Sequence, residues 1–173
     1  MMSIWTDLWN LFFPHSCLLC GRQLISGERV LCLKCLSRLP RTQFHLRKDN
    51  IVECNFWGKI PVERATSFLY YAKGGNVRQL LYELKYHGNQ EVGEVMGRMM
   101  ASELMCSHFF DGIDLIVPVP LHQRKKRLRG YNQSECLARG VSVVTGIPMN
   151  TKVVIRSRYT CLLYTSPSPR DRG

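Results

Sequence analysis

Apolar positions recur with a helical period in four stretches of the chain. Ile4, Leu8, Trp9, Phe12 and Phe13 predict a short amphipathic helix, stopped by Pro14 and expected to pack on the protein itself. Val77, Leu80, Leu81 and Leu84 share the face of a second helix, with Asn76 as its cap and Gly88 as its stop. Val92, Val95, Met96, Met99 and Leu104 mark a third. Leu137, Ala138, Val141 and Val144 line a fourth, which Asn132 opens and Gly146 closes, with Pro148 just beyond. Glu135, three residues after Asn132, completes something close to a capping box. Between these helices lie runs with strand character: "ATSFLYYA" from Ala65, "GIDLIVPVP" from Gly112 and "KVVIR" from Lys152. Strand–helix alternation of this kind predicts an α/β domain with a parallel sheet, in which 114–119 is buried on both faces.

The pattern divides the chain into parts. Residues 1–45 form a helix and a cysteine-bearing module, residues 46–64 read as a polar linker, and residues 65–160 carry the α/β pattern. Residues 161–173, "CLLYTSPSPRDRG", have no apolar period. They read as an unstructured tail or as translated sequencing-adapter sequence, in which case this chain is expected to be a fragment broken off near Thr160.

Composition narrows the class. With 173 residues, 45% hydrophobic and 21% charged, the chain is globular rather than disordered. A net charge of +11 favours anionic partners: a phosphorylated small molecule, nucleic acid or an acidic membrane surface. The N-terminus has no basic leader region, carries Asp7 and lacks a small-residue cleavage site, so a cytoplasmic location is expected. No run of residues reaches the roughly 20 apolar positions that span a bilayer.

Four of the eight cysteines fall in two pairs, Cys17/Cys20 and Cys32/Cys35, with eleven residues between the pairs. Two such turns facing each other supply four thiolates in a tetrahedron, the arrangement preferred by structural Zn²⁺; disulfides or free thiols are the alternative. Gly21 lets the first turn bend so that backbone N–H groups can face sulfur, whereas Leu36 holds the matching place after the second pair. A closed four-sulfur site leaves no open position for substrate. Cys54, Cys106 and Cys136 are expected to be core or boundary residues.

The apolar run at 113–120 empties into Leu121–Gly130, which holds five positive charges and no negative one. In an open parallel sheet, ligands sit beyond the carboxyl ends of strands, and the helix that follows points its N-terminus at the same crevice. Arg124 and Arg129 are candidates to grip phosphate oxygens, and Gly130 to let backbone approach an anion. Asn132 and Gln133 are neutral donors suited to orienting a ligand, with Tyr131 the lone aromatic of the loop. Lys125 and Lys126 read equally as a solvated face. Lys85 is a weaker phosphate candidate, since a cation at a helix C-terminus also answers the dipole.

Three motifs in order, "CLLCG…CLKCLSRLP", "YELKYHGNQEVGEVMGR" and "PVPLHQRKKRLRGYNQSECLA", resemble the ComF (competence protein F, GntX-like) family of phosphoribosyltransferase-like proteins, over about residues 5 to 160. The resemblance implies a zinc module of the double zinc-ribbon kind on a type I phosphoribosyltransferase fold. It also implies that Leu121–Gly130 corresponds to that fold's pyrophosphate loop, with Arg124 and Arg129 at the matching positions. Enzymes of that fold bind 5-phosphoribosyl-1-pyrophosphate with Mg²⁺ and displace pyrophosphate, so this glycosyltransferase chemistry and a role in bacterial competence and DNA uptake are what the family suggests. The acidic sugar-phosphate motif of the fold is absent from this sequence, so transferase activity is not expected of this polypeptide. Two other readings stand beside this one: a single-stranded nucleic-acid-binding zinc module, in which cysteine turns and basic loop both touch a phosphate backbone, and a truncated fragment without function.

Overall fold

A computed structural model describes residues 15–157. The N-terminal helix expected at 4–13 and the tail at 161–173 lie outside this range. The described residues form α1 (Leu33–Ser37), a 3₁₀ turn (Phe44–Leu46), α2 (Ile51–Cys54), α3 (Asn76–Tyr86), α4 (Gln90–Met105), α5 (Gln123–Arg129) and α6 (Gln133–Thr145).

The three long helices follow from the apolar period. Val77, Leu80 and Leu84 are buried on α3, Val92, Met96, Ala101 and Leu104 on α4, and Cys136, Ala138 and Val141 on α6. Helix starts differ in detail from expectation. Gly75 is the N-cap of α3, one residue before Asn76. Asn132 does cap α6, its side chain accepting from Ser134 N at 3.1 Å, but the reciprocal box with Glu135 is not formed.

α4 packs chiefly on α6, and glycines set the closeness of the crossing. A Cβ placed on Gly97 would strike the Leu137 carbonyl, and one on Gly140 the Glu94 carbonyl. A Cβ on Gly93 would lie 2.7 Å from that of Cys136. Backbone meets backbone here, as only glycine permits.

The expected parallel sheet is not present among the described residues. Pairing is confined to isolated bridges: Ser16–Gln23 and Arg41–Leu69 antiparallel, and Ile116–Met149 parallel. The 114–119 segment, expected to be buried on both faces, exposes Leu115, Val117 and Val119. Residues 152–156 are unpaired, with bends at 152–154 and Ile155 81% exposed, and Tyr70 and Tyr71 of the 65–72 segment are exposed too. A strand is defined by neighbours, and these extended segments have one bridge partner each at most. The parallel bridge still matters, because α6 lies between its two sides: Ile116 N donates to Pro148 O at 2.9 Å and Asn150 N to Ile116 O at 3.0 Å.

The stretch 46–64 is polar but structured. Asn50, buried, caps α2 in a full capping box with Glu53. The Arg64 guanidinium donates to the carbonyls of His45 (2.9 Å) and Ser107 (3.0 Å) and stacks over Phe109. A single core cluster joins Cys17, Val30, Leu31, Cys32, Cys35 and Leu39 of the cysteine module to Leu80, Leu84, Val92, Met96, Tyr131 and Cys136 of the helices.

Candidate functional site

The cysteine module is built from two turns held face to face. Gly21 adopts φ +71°, and Gly21 N donates to Cys17 O at 2.9 Å, closing the first knuckle. α1 carries Cys35 and starts at its N-cap Cys32, and Leu36 N donates to Cys32 O at 2.9 Å to close the second. Leu18 N to Val30 O, at 3.1 Å, ties the halves together. The Sγ atoms of Cys17, Cys20, Cys32 and Cys35 all lie within 4.8 Å of one another, and Cys20 and Cys32 are 3.7 Å apart. Four sulfurs at about 2.3 Å around Zn²⁺ would stand about 3.8 Å from each other, while a disulfide needs about 2.05 Å. All four are free thiols.

Their electrostatics suit a cation. Burial raises the Cys17 thiol, but the backbone N–H groups of Cys32, Leu19 and Cys20 outweigh it and bring its pKa down to about 6. Cys32 N lies 3.4 Å from that sulfur. Cys35 is pushed up to about 12, first by burial and then by its hydrogen bonds to the other sulfurs and the charge of Cys17. One thiolate therefore forms readily and opposes the rest, a conflict that a divalent metal relieves. The four cysteines can hold a metal ion, and the donor set fits zinc. Backbone N–H groups of the first turn, Leu19 and Cys20, thus face the Cys17 sulfur, and Cys32 of the second turn adds the largest lowering contribution.

Glu28 supports this module, although no motif marks it in the sequence. Its side chain is 4% exposed; the carboxylate accepts from Leu33 N at 2.7 Å and Ile25 N at 3.1 Å and pairs with Arg22 at 3.6 Å. The N–H of Leu33 first, then that of Ile25, holds the carboxyl below its ordinary range. Of the other cysteines, Cys136 is buried as expected, but Cys54 and Cys106 are exposed, because both sit at or beyond a helix end facing solvent.

The basic stretch expected as a loop is mostly the helix α5. Gln, Arg, Lys and Leu are straight-chain helix formers, His122 accepts from Arg124 N at 3.2 Å at the start, and Gly130 at φ +79° ends it. Lys126, Arg127 and Arg129 in its last turn answer the negative end of its dipole.

A cleft of about 700 Å³ lies beside α5. Its wall includes Pro118, Pro120, residues 121–123, Lys126 and Arg127, with Asn132 and Glu135 from the start of α6, and Thr151 with residues 154–157. Both sides of the parallel bridge thus run into it. Of the expected phosphate contacts, Asn132 lines the cleft, held by Nδ2 donating to Val119 O at 3.0 Å. Arg124 and Arg129 do not line it. Arg129 donates to Gln133 Oε1 at 3.0 Å and lies over the Tyr86 ring at 5.9 Å. Tyr131 is buried, its hydroxyl donating to Leu84 O and pushed above its ordinary pKa by burial, so it is a packing residue in this arrangement. Gly130 serves as helix stop, and Lys85 is exposed on the last turn of α3. The cleft cations are instead Lys126, Arg127 and Arg156, with Glu135 among them. Gln123, Lys126 and Arg127 stand at i, i+3 and i+4, so a helical reading of the basic run would have picked this face.

No helix among the described residues is long and apolar enough to cross a membrane.

No protein-family model matches the sequence, and no solved structure matches it. The chain is 28% identical over 147 residues to DNA utilization protein YhgH of Escherichia coli (strain K12), covering 83% of this chain and 61% of that one. Its namesake in Shigella flexneri is 27% identical over the same shares. That of Salmonella typhimurium is 29% identical over 84 residues, covering 47% of this chain and 37% of the relative. The chain therefore spans about three fifths of the length of the first two.

Proposed function

We propose that the chain is a ComF-like protein of DNA utilization, with a structural zinc module and a cleft for a phosphorylated ligand of the 5-phosphoribosyl-1-pyrophosphate type. One observation carries the ligand reading: the cleft opens where both sides of the Ile116–Met149 parallel bridge end and where α6 begins. In open α/β folds ligands gather beyond strand ends; the described residues hold one such parallel bridge without the sheet, and amides at a helix start suit phosphate. Lys126, Arg127 and Arg156 supply the charge and Asn132 a neutral donor. The names of the relatives support a connection with DNA. No transferase activity is proposed.

Titration with pyrophosphate, phosphoribosyl pyrophosphate plus Mg²⁺, and a single-stranded oligonucleotide at two salt concentrations tests the reading. A compact ligand is expected to bind at the higher salt and to lose affinity in a Lys126→Ala, Arg127→Ala variant. Binding to the oligonucleotide alone, falling steeply with salt, would favour the nucleic-acid module instead.

A further inference from the structure

We infer that Glu135 is a built-in competitor for the anion site, a carboxylate that holds Lys126 until a phosphate group displaces it. This rests on the phosphate reading of the cleft. Lys126 Nζ lies 3.2 Å and 3.4 Å from the two oxygens of Glu135, and Asn132 Nδ2 lies 3.4 Å from the first of them. All three residues line the cleft.

Local helix chemistry alone does not put the carboxylate there. A Glu three residues after an Asn cap ordinarily folds back onto the N–H of the cap. Glu53 does so in α2, accepting from Asn50 N at 3.3 Å. Glu135 has the same spacing from Asn132 yet turns to the Lys126 ammonium and the Asn132 side chain. It thereby engages two groups that a phosphate oxygen would use, the cation and the amide donor.

The pair is displaceable. Lys126 is half exposed and Glu135 about one-fifth exposed, so neither is sealed from water and the contact is screened. An arriving diphosphate has higher charge and more acceptor oxygens than a carboxylate, and wins the ammonium if Glu135 swings aside. While Glu135 remains nearby, its charge opposes the ligand. The residue thus sets a threshold for anions at this site.

Calorimetric titration of the full chain with pyrophosphate and with acetate, without divalent metal, provides the test. Glu135→Gln is expected to bind pyrophosphate roughly tenfold tighter than wild type, with a smaller gain for acetate, whose single charge the carboxylate opposes less. Lys126→Ala should bind more weakly, and in that background Glu135→Gln should gain much less. A far-ultraviolet melt checks that each variant folds, with Glu135→Ala as a second removal of the charge. Unchanged or weaker pyrophosphate binding in both folded Glu135 variants overturns the inference. If neither wild type nor any variant binds pyrophosphate, the phosphate reading itself fails, and this inference with it.

Discussion

The Glu28 carboxylate takes the N–H of Leu33 at 2.7 Å, five residues along the chain and across the turn that delivers the second cysteine pair. It also accepts from Ile25 N, so one buried side chain fixes both sides of the 25–33 turn. Glu28→Gln should therefore weaken zinc binding by roughly tenfold or more, as loss of an outer support commonly does. Competition with a colorimetric chelator measures this.

The same contact has a pH signature. Because the folded carboxyl sits below its ordinary value of 4.5, its stabilisation is present above that value and is lost as the pH falls through the lowered one. The difference in melting temperature between wild type and Glu28→Gln should be constant from pH 7 to about pH 5 and shrink in stronger acid.

Metal removal should reach beyond the cysteine module. Cys17, Cys32 and Cys35 share a core cluster with Leu80, Leu84, Val92 and Met96. Excess chelator, or Cys35→Ser, should lower the melting temperature seen by helical circular dichroism in one transition. A separate unfolding event confined to a minor amplitude would contradict the shared core.

The α4–α6 crossing should tolerate no added methyl. Gly97→Ala or Gly140→Ala is expected to cost about 2–3 kcal/mol or prevent folding, since the new Cβ meets backbone rather than a side chain that can rotate. Val143→Ala, on the exposed face of α6, should change stability by about 0.5 kcal/mol or less. Urea melts of the variants give the comparison.

Tyr131→Phe should act on stability rather than on phosphate binding. The hydroxyl donates to Leu84 O inside the core, and its removal is expected to cost about 1–2 kcal/mol. Pyrophosphate affinity should be unchanged.

What the sequence disclosed divides along physical lines. The cysteine quartet was legible because ligand spacing is local and specific. α3, α4 and α6 were legible because a buried stripe repeats every three to four residues. The strands were misjudged because Leu115, Val117 and Val119 report an appetite for burial, while pairing depends on residues far along the chain. The strand-like apolar segment before the basic run argued for a loop there, yet Gln123–Arg129 contains only residues that helix geometry accepts readily. On the helix, Lys126 and Arg127 join the cleft wall, whereas the expected Arg124 and Arg129 do not. Glu28 carries no motif, since a lone acid in a turn gains its meaning only from the amides folded around it.

The glycine-lined crossing also decides how the cleft can change shape. With the main chains of α4 and α6 in direct apposition, neither can rock or slide without separating from the other. The opposite wall has no such clamp: α5 is one short segment suspended between Pro120 and the left-handed Gly130. A turn of that lever would swing the Lys126 and Arg127 side chains against an Asn132 wall that the crossing holds, breaking the Lys126–Glu135 contact as it goes.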